Sequence, residues 1–201
     1  MDTDEIHARF IGIANPISEE LAQAIASIGP VELVPDRSSP LADRLCRAIA
    51  GQQLSVKAAR SIWNRVMSSC NGTLVEYLAV AAPEELRACG LSAAKTRAVR
   101  EVARASIDGL LDAHELTTLH PVERSKRLTA IWGVGQWTAD MMGIFYFGDR
   151  DIWPDGDVTA RKTLARLTSP RRKTIRTAAR FAPYRSYLSL YMWKLVDAAP
   201  E

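Results

Sequence analysis

Three cysteines in 201 residues, Cys46, Cys70 and Cys89, are widely spaced and form no CxxC pair. That scarcity argues against a disulfide framework, a zinc finger or a four-cysteine iron–sulfur cluster. Histidine is equally sparse: His7, His114 and His120 make no HExxH pattern, so no metal held by side chains and no cofactor is expected. His114 and His120 fall in a polar connector and are expected to face solvent. No apolar run approaches membrane-spanning length. The first residues, MDTDEIHARF, are acidic and lack the basic-then-apolar order of a secretion signal. A cytoplasmic chain is expected, nucleoid-associated in a bacterium, with no membrane partner. Repeats and low-complexity segments are also missing.

Alternation of period two is lacking apart from a short edge at Val31–Val34, and apolar spacing is helical nearly throughout. The expectation is an all-α chain of about ten short helices, long enough for one large domain or two small lobes. Ser18 caps a helix through Ile28, ended by Gly29-Pro30. Pro40 opens one with Leu41, Leu45, Ala48 and Ile49 on one face. Ser55 caps the next, whose apolar stripe is Ala58, Ala59, Ile62, Val66 and Met67. Two short helices span 73–80 and 83–88. Ser92 caps a long helix whose arginine-rich face is expected to be solvated, and residues 112–120 read as a connector. Helices at 124–131, 136–147, 158–167, 170–180 and 184–199 complete the chain.

Net charge is only +3, but it is unevenly distributed. Residues 1–36 hold seven acids and one base, while 158–185 hold nine Lys/Arg and no acid. Such asymmetry fits either a solvated helical face or a polyanion partner.

Three stretches can carry chemistry. The first joins two helices through Ile131-Trp132-Gly133-Val134-Gly135 and Gln136-Trp137-Thr138. Glycine tolerates the positive φ of such a hairpin and leaves backbone N–H groups open to an anion, so a phosphate site and a plain packing turn are both consistent with it. The second is the loop Trp153-Pro154-Asp155-Gly156-Asp157-Val158. Either aspartate can cap a helix. A carboxylate facing a breaking sugar–base bond would stabilise the oxocarbenium-like transition state and orient water. The third is Gly51-Gln52-Gln53-Leu54-Ser55, a polar loop between apolar helices, readable as a capped turn or as side chains that meet an opened base pair. Trp132, Trp137 and Trp153 crowd the same region, as core residues or as a stack for an electron-poor base.

LTAIWGVGQWTADM followed by WPDGDVTARK resembles the helix-hairpin-helix DNA glycosylase superfamily, and within it the 3-methyladenine DNA glycosylase II (alkylbase) family. AIAGQQLSVKAA, CGLSAAKTRAVREVA and the terminal PYRSYLSLYMWK extend the resemblance over residues from about 38 to 196. It implies a two-lobed helical bundle with the active-site cleft between lobes; residues 1–37 are expected to pack on the core, and 38–201 to form that core without a separate β domain. It implies an enzyme that acts as a monomer on double-stranded DNA with damaged bases. Such an enzyme flips out an alkylated purine, 3-methyladenine or also 7-methylguanine, and hydrolyses the N-glycosidic bond in base excision repair.

On the matching positions the essential aspartate is Asp157, twenty residues beyond Trp137, with Asp155 as the alternative. Trp137, Trp132, Trp153 and Gln52 would line the base pocket, and Gln53 or Leu54 would be the wedge. Gly133, Val134, Gly135, Gln136, Thr138 and Arg161 would hold phosphate, with a monovalent cation on the carbonyls of 130–135. Trp137 stands where lyase-type relatives carry a nucleophilic lysine, and the hairpin holds no lysine at all. A Schiff-base route is therefore not expected. The sequence departs from the family pattern at Trp132, where the hairpin's usual proline is replaced, and residues 1–37 match no motif. Removal of neutral lesions such as hypoxanthine or etheno adducts, or catalytically silent DNA binding, remain the competing readings.

Overall fold

The computed structural model describes residues 1–197, apart from the side chains of Val56 and Asp197. Among the described residues every regular element is helical. In chain order these are α1 (Thr3–Ala14), α2 (Glu19–Ile28), α3 (Leu41–Gly51), α4 (Val56–Ser69), α5 (Leu74–Val80), α6 (Pro83–Ala88) and α7 (Ala93–Ile107). Then come α8 (Ala113–Thr118), α9 (Pro121–Thr129), α10 (Gln136–Met142), a π-helical turn at Gly143–Phe147, α11 (Val158–Thr168), α12 (Thr174–Ala179) and α13 (Arg185–Asp197). The expected last two residues of the final helix, up to Ala199, lie outside the described residues. Contacts divide the chain into a terminal unit, residues 1–35 with 143 onward, and a middle unit, Asp36–Met142.

The terminal unit closes around Phe10, whose ring lies 4.8 Å from Phe181 and 5.7 Å from Tyr191. Full burial of one such ring stabilises by about 1.5–3 kcal/mol. Helix α1 has a capping box that the sequence reading passed over. The Glu5 N–H donates to Asp2 Oδ1 (2.8 Å), and the Asp2 N–H donates to Glu5 Oε2 (3.1 Å). Ile6, Phe10 and Ala14 then follow at helical spacing and are buried. Ser18 caps α2 as expected, and its hydroxyl also donates to the Leu167 carbonyl at 2.6 Å. The edge expected at Val31–Val34 is no strand. Val31 is buried and Leu33 packs on the same core, so their alternation reflects one extended segment crossing an apolar surface.

In the middle unit α3 and α5 pack against α7, and α10 packs against α3 and α9. Leu45, Ile49, Leu78, Leu86, Val102 and Leu128 are fully buried there. Ser55, Thr73 and Ser92 cap their helices through side-chain oxygens. Three expectations fail in this unit, the first being the helix expected over 124–131, which is α9 at Pro121–Thr129. Residues 112–120 are not a bare connector: Asp112 accepts the Glu115 N–H at 2.7 Å and starts α8, and His120 caps α9. Both His114 and His120 are exposed. Met67, expected on the apolar stripe of α4, is 45% exposed, whereas Val66 beside it is buried.

Candidate active site and nucleic-acid interface

The hairpin is a tight turn between α9 and α10. The Val134 N–H donates to the Ile131 carbonyl at 3.0 Å, and Val134's side chain is buried. Gly133 has φ 89°, and a Cβ there would collide with the Cβ of Ala98 on α7. Both the backbone angle and the close approach therefore require glycine. Helix α10 starts at Gln136, so the N–H groups of its first turn have no acceptor within the helix. In the phosphate-binding set expected from sequence, two side chains and one backbone N–H already have partners within the unit. Thr138 is 1% exposed and accepts a hydrogen bond from Gln52, so its hydroxyl is turned into the unit. Gln136 donates through Nε2 to Ser125 Oγ (3.0 Å) and Asp140 Oδ1 (2.7 Å). Val134's N–H serves the turn itself. What the hairpin presents is backbone at Gly133, Gly135 and Gln136.

The glutamine loop follows α3. Gln52 Nε2 donates to Thr138 Oγ1 at 3.0 Å, which commits the amide nitrogen expected for a base edge to the hairpin helix instead. Lys95 Nζ, from α7, donates to the carbonyls of Ala50 (2.9 Å) and Gln52 (2.7 Å). Burial lowers the Lys95 pKa, because withdrawal from water disfavours the charged ammonium. Between these fixed points Gln53 is exposed with φ 58°, a left-handed conformation that non-glycine residues rarely adopt. Leu54 beside it is 40% exposed. Such local strain persists only where neighbours over-determine it, and Lys95 and Thr138 supply that constraint.

The carboxylate loop belongs to the terminal unit. Asp157 caps α11: its Oδ1 accepts the Ala160 N–H (2.8 Å) and the Trp193 indole N–H (3.0 Å). Trp193 in turn packs against Phe145, ring centroids 5.5 Å apart. A half-buried carboxylate thus sits at a helix N-terminus, where the backbone dipole favours negative charge. Asp155 is placed differently. Its Oδ1 accepts Trp153 Nε1–H (3.2 Å) and Thr174 O–H (3.3 Å), and Arg161 Nη1 reaches its carbonyl at 3.5 Å. The loop's entry is held by Arg185, which bonds both Asp151 carboxylate oxygens (2.7 and 2.9 Å), and by Ser186 Oγ, which donates to the Asp149 carbonyl (2.6 Å). Burial alone would raise the Asp151 pKa, but the Arg185 bonds and charge outweigh it and hold the pKa below the usual carboxylate value.

The tryptophans separate. Trp153 is 7% exposed within the core of the terminal unit, so its expected place in a base pocket is corrected to a structural one. Trp132 is 42% exposed with the Arg97 guanidinium 4.0 Å over its ring, a cation–π stack on the face of α7 where Arg97 and Arg104 are exposed as expected. It borders an open groove with Arg104 and Arg127 rather than an enclosed pocket. Trp137 is half-buried on α10. Sequence reasoning missed Trp193 as a partner of Asp157 and Lys95 as a partner of the glutamine loop. It also missed Asp140, which is buried on α10 and whose pKa burial raises despite the Gln136 bond. Lys95 and Trp193 lie inside quoted motifs, and only their partners 45 and 36 residues away reveal what they do.

Comparison with known proteins places this arrangement. The model of the HhH-GPD superfamily base excision DNA repair proteins matches residues 46–183. The chain belongs to the HhH-GPD superfamily. DNA-3-methyladenine glycosylase 1 of Schizosaccharomyces pombe is 37% identical over 161 residues, covering 76% of this chain and 71% of that protein. Alkylbase DNA glycosidase-like protein mag2 of the same organism is 25% identical over 97% of this chain and 96% of its own length. The solved 3-methyladenine DNA glycosylase (Mag1) of S. pombe in complex with abasic DNA superposes with a TM-score of 0.80 at 31% identity, covering 97% of this chain and 98% of that one. The HhH-GPD match takes in the glutamine loop, the hairpin and the carboxylate loop. Helices α1 and α2 and the whole of α13, with Trp193, lie outside it.

Proposed function

We propose that this HhH-GPD chain is a monofunctional DNA glycosylase of base excision repair. It extrudes alkylated purines, chiefly 3-methyladenine and also 7-methylguanine, from duplex DNA and hydrolyses the N-glycosidic bond with water. The observation that carries the reading is Asp157 at the N-terminus of α11, its Oδ1 fixed by the Ala160 and Trp193 N–H groups. A carboxylate held this way offers fixed negative charge to an oxocarbenium-like sugar and can orient the attacking water. Asp155, whose bonds go to the core tryptophan Trp153 and to Thr174, serves to shape the loop.

An alkylated purine carries positive charge and is already a good leaving group, so a site with one acting carboxylate suffices. Trp137 would stack on that cationic base. Gln53 and Leu54, exposed at the tip of a clamped loop, would fill the gap left by the extruded nucleotide, at a cost of a few kcal/mol of stacking and pairing. Backbone N–H groups of Gly135 and Gln136 would take a phosphate, positioning the duplex without reading sequence. A hard monovalent cation, if bound, would be held by backbone carbonyls of 130–135 beside that phosphate. No iron–sulfur cluster is part of this reading.

Incubation with methylated duplex DNA, followed by identification of the released purine, tests the proposal. Free 3-methyladenine is the expected product. Release only from hypoxanthine- or etheno-bearing duplexes would move the substrate class, and binding without any base release would overturn the enzyme. Borohydride should trap no covalent adduct, because the hairpin has no lysine.

A further inference from the structure

Five cationic side chains of the terminal unit, Arg171, Arg172, Lys173, Arg176 and Arg180, line one open concavity of about 460 Å³. All five are exposed, and among the described residues none is in an ion pair. Arg172 Nη1 reaches the Ile17 carbonyl at 3.4 Å. Four guanidinium groups elsewhere are in ion pairs: Arg44 with Asp36, Arg104 with Glu101, Arg127 with Glu115 and Arg185 with Asp151. Between residues 158 and 185 there is no acid at all. Arg172, Arg176 and Arg180 stand four apart along and beside α12, where like charges repel and cost stability. A merely solvated face is served as well by mixed charge. Crowding cations into a concavity without counter-charge makes physical sense when a polyanion supplies it. Four of the five are arginine, whose planar fork suits phosphate oxygens in pairs.

We propose that this concavity is a second, sequence-independent contact for the sugar–phosphate backbone of DNA, made by residues other than the hairpin. The inference rests on the reading that the chain acts on DNA, and it adds a stretch of backbone to the duplex that the terminal unit grips. Its contribution is electrostatic, so it raises affinity for damaged and undamaged DNA alike and shows itself in salt dependence.

The test measures log Kd against log salt on an undamaged duplex for the full chain and for a variant carrying Arg171→Gln, Arg172→Gln, Lys173→Gln and Arg176→Gln. A second variant carries Arg171→Lys, Arg172→Lys and Arg176→Lys. The glutamine variant is expected to lose about 0.9 from the magnitude of the slope for each phosphate contact removed, about 2–4 in all. The lysine variant is expected to keep a slope near that of the parent. An unchanged slope in a glutamine variant with parental helicity and Tm overturns the proposal. Loss of slope in the lysine variant also overturns it, since that would be a folding effect. Base release by the parent chain is scored separately. If no base is released while the slopes still differ, the glycosylase reading fails and the backbone contact stands.

Discussion

In the terminal unit each carboxylate near the loop has donors of its own: Asp151 has the Arg185 fork, Asp155 has Trp153 and Thr174, and Asp157 has the Ala160 and Trp193 N–H groups. In the middle unit the buried carboxylate, Asp140, accepts a bond from the neutral amide of Gln136, and Lys95 donates to backbone carbonyls. One unit is organised to hold negative charge in place. The other is organised to hold backbone in unusual shapes, Gly133 at φ 89° and Gln53 at φ 58°. On the proposed function, catalytic charge and DNA positioning would depend on different kinds of interaction, and they should fail under different substitutions.

The largest effect on the middle unit is expected from Gly133→Ala. A Cβ in left-handed backbone against Ala98 should cost about 2–5 kcal/mol from strain and overpacking. Hydrogen exchange should show lost protection in α7, α9 and α10, with α11 and α13 unchanged. Equal loss in both units would break the comparison. Next comes Lys95→Met, which removes two charge-assisted bonds from the glutamine loop. With discount for its partial exposure, about 1–2 kcal/mol of loop order should go. Affinity for lesion-bearing DNA should fall roughly tenfold at unchanged helicity, reading out the strained Gln53 conformation.

The smallest effect is one of pH, and its sign differs between the units. Asp151 has its pKa lowered in the fold, so its contribution is present above the unfolded value of about 3.9 and is lost as pH falls through the folded value. Asp151→Asn should lower Tm at neutral pH, with the difference fading in strong acid. Asp140 has its pKa raised by burial, so its charge costs stability at neutral pH and protonation relieves that cost as pH falls through the folded value. Asp140→Asn should leave Tm at neutral pH equal or a degree or two higher, with no difference below about pH 4. A Tm loss for Asp140→Asn that persists in acid would show a role beyond its desolvation.

Much of this was legible in the residues. Helical periodicity, the Ser18, Ser55 and Ser92 caps and the Gly133-Val134-Gly135 turn are local features, and local spacing encodes them. Asp157 as a cap is local too. What spacing could not show is partnership across the chain: Trp193 on Asp157, Gln52 on Thr138 and Arg97 over Trp132. Trp153 was misplaced for the same reason, since a tryptophan beside an aspartate reads alike whether it faces a pocket or a core. Helix α1 was missed although its Asp2–Glu5 capping box is visible in sequence, and α8 because polar residues between elements read as a connector.

The central claim is that Asp157 acts and Asp155 shapes the loop. Single-turnover release of 3-methyladenine from methylated duplex DNA, compared among the parent chain, Asp157→Asn and Asp155→Asn, tests it most directly. The account predicts a fall on the order of 10²–10³ for Asp157→Asn with DNA binding retained. For Asp155→Asn it predicts less than about tenfold in rate and a stability loss near 1 kcal/mol from its bonds to Trp153 and Thr174. Parental turnover by Asp157→Asn, or a larger loss for Asp155→Asn than for Asp157→Asn, would contradict it.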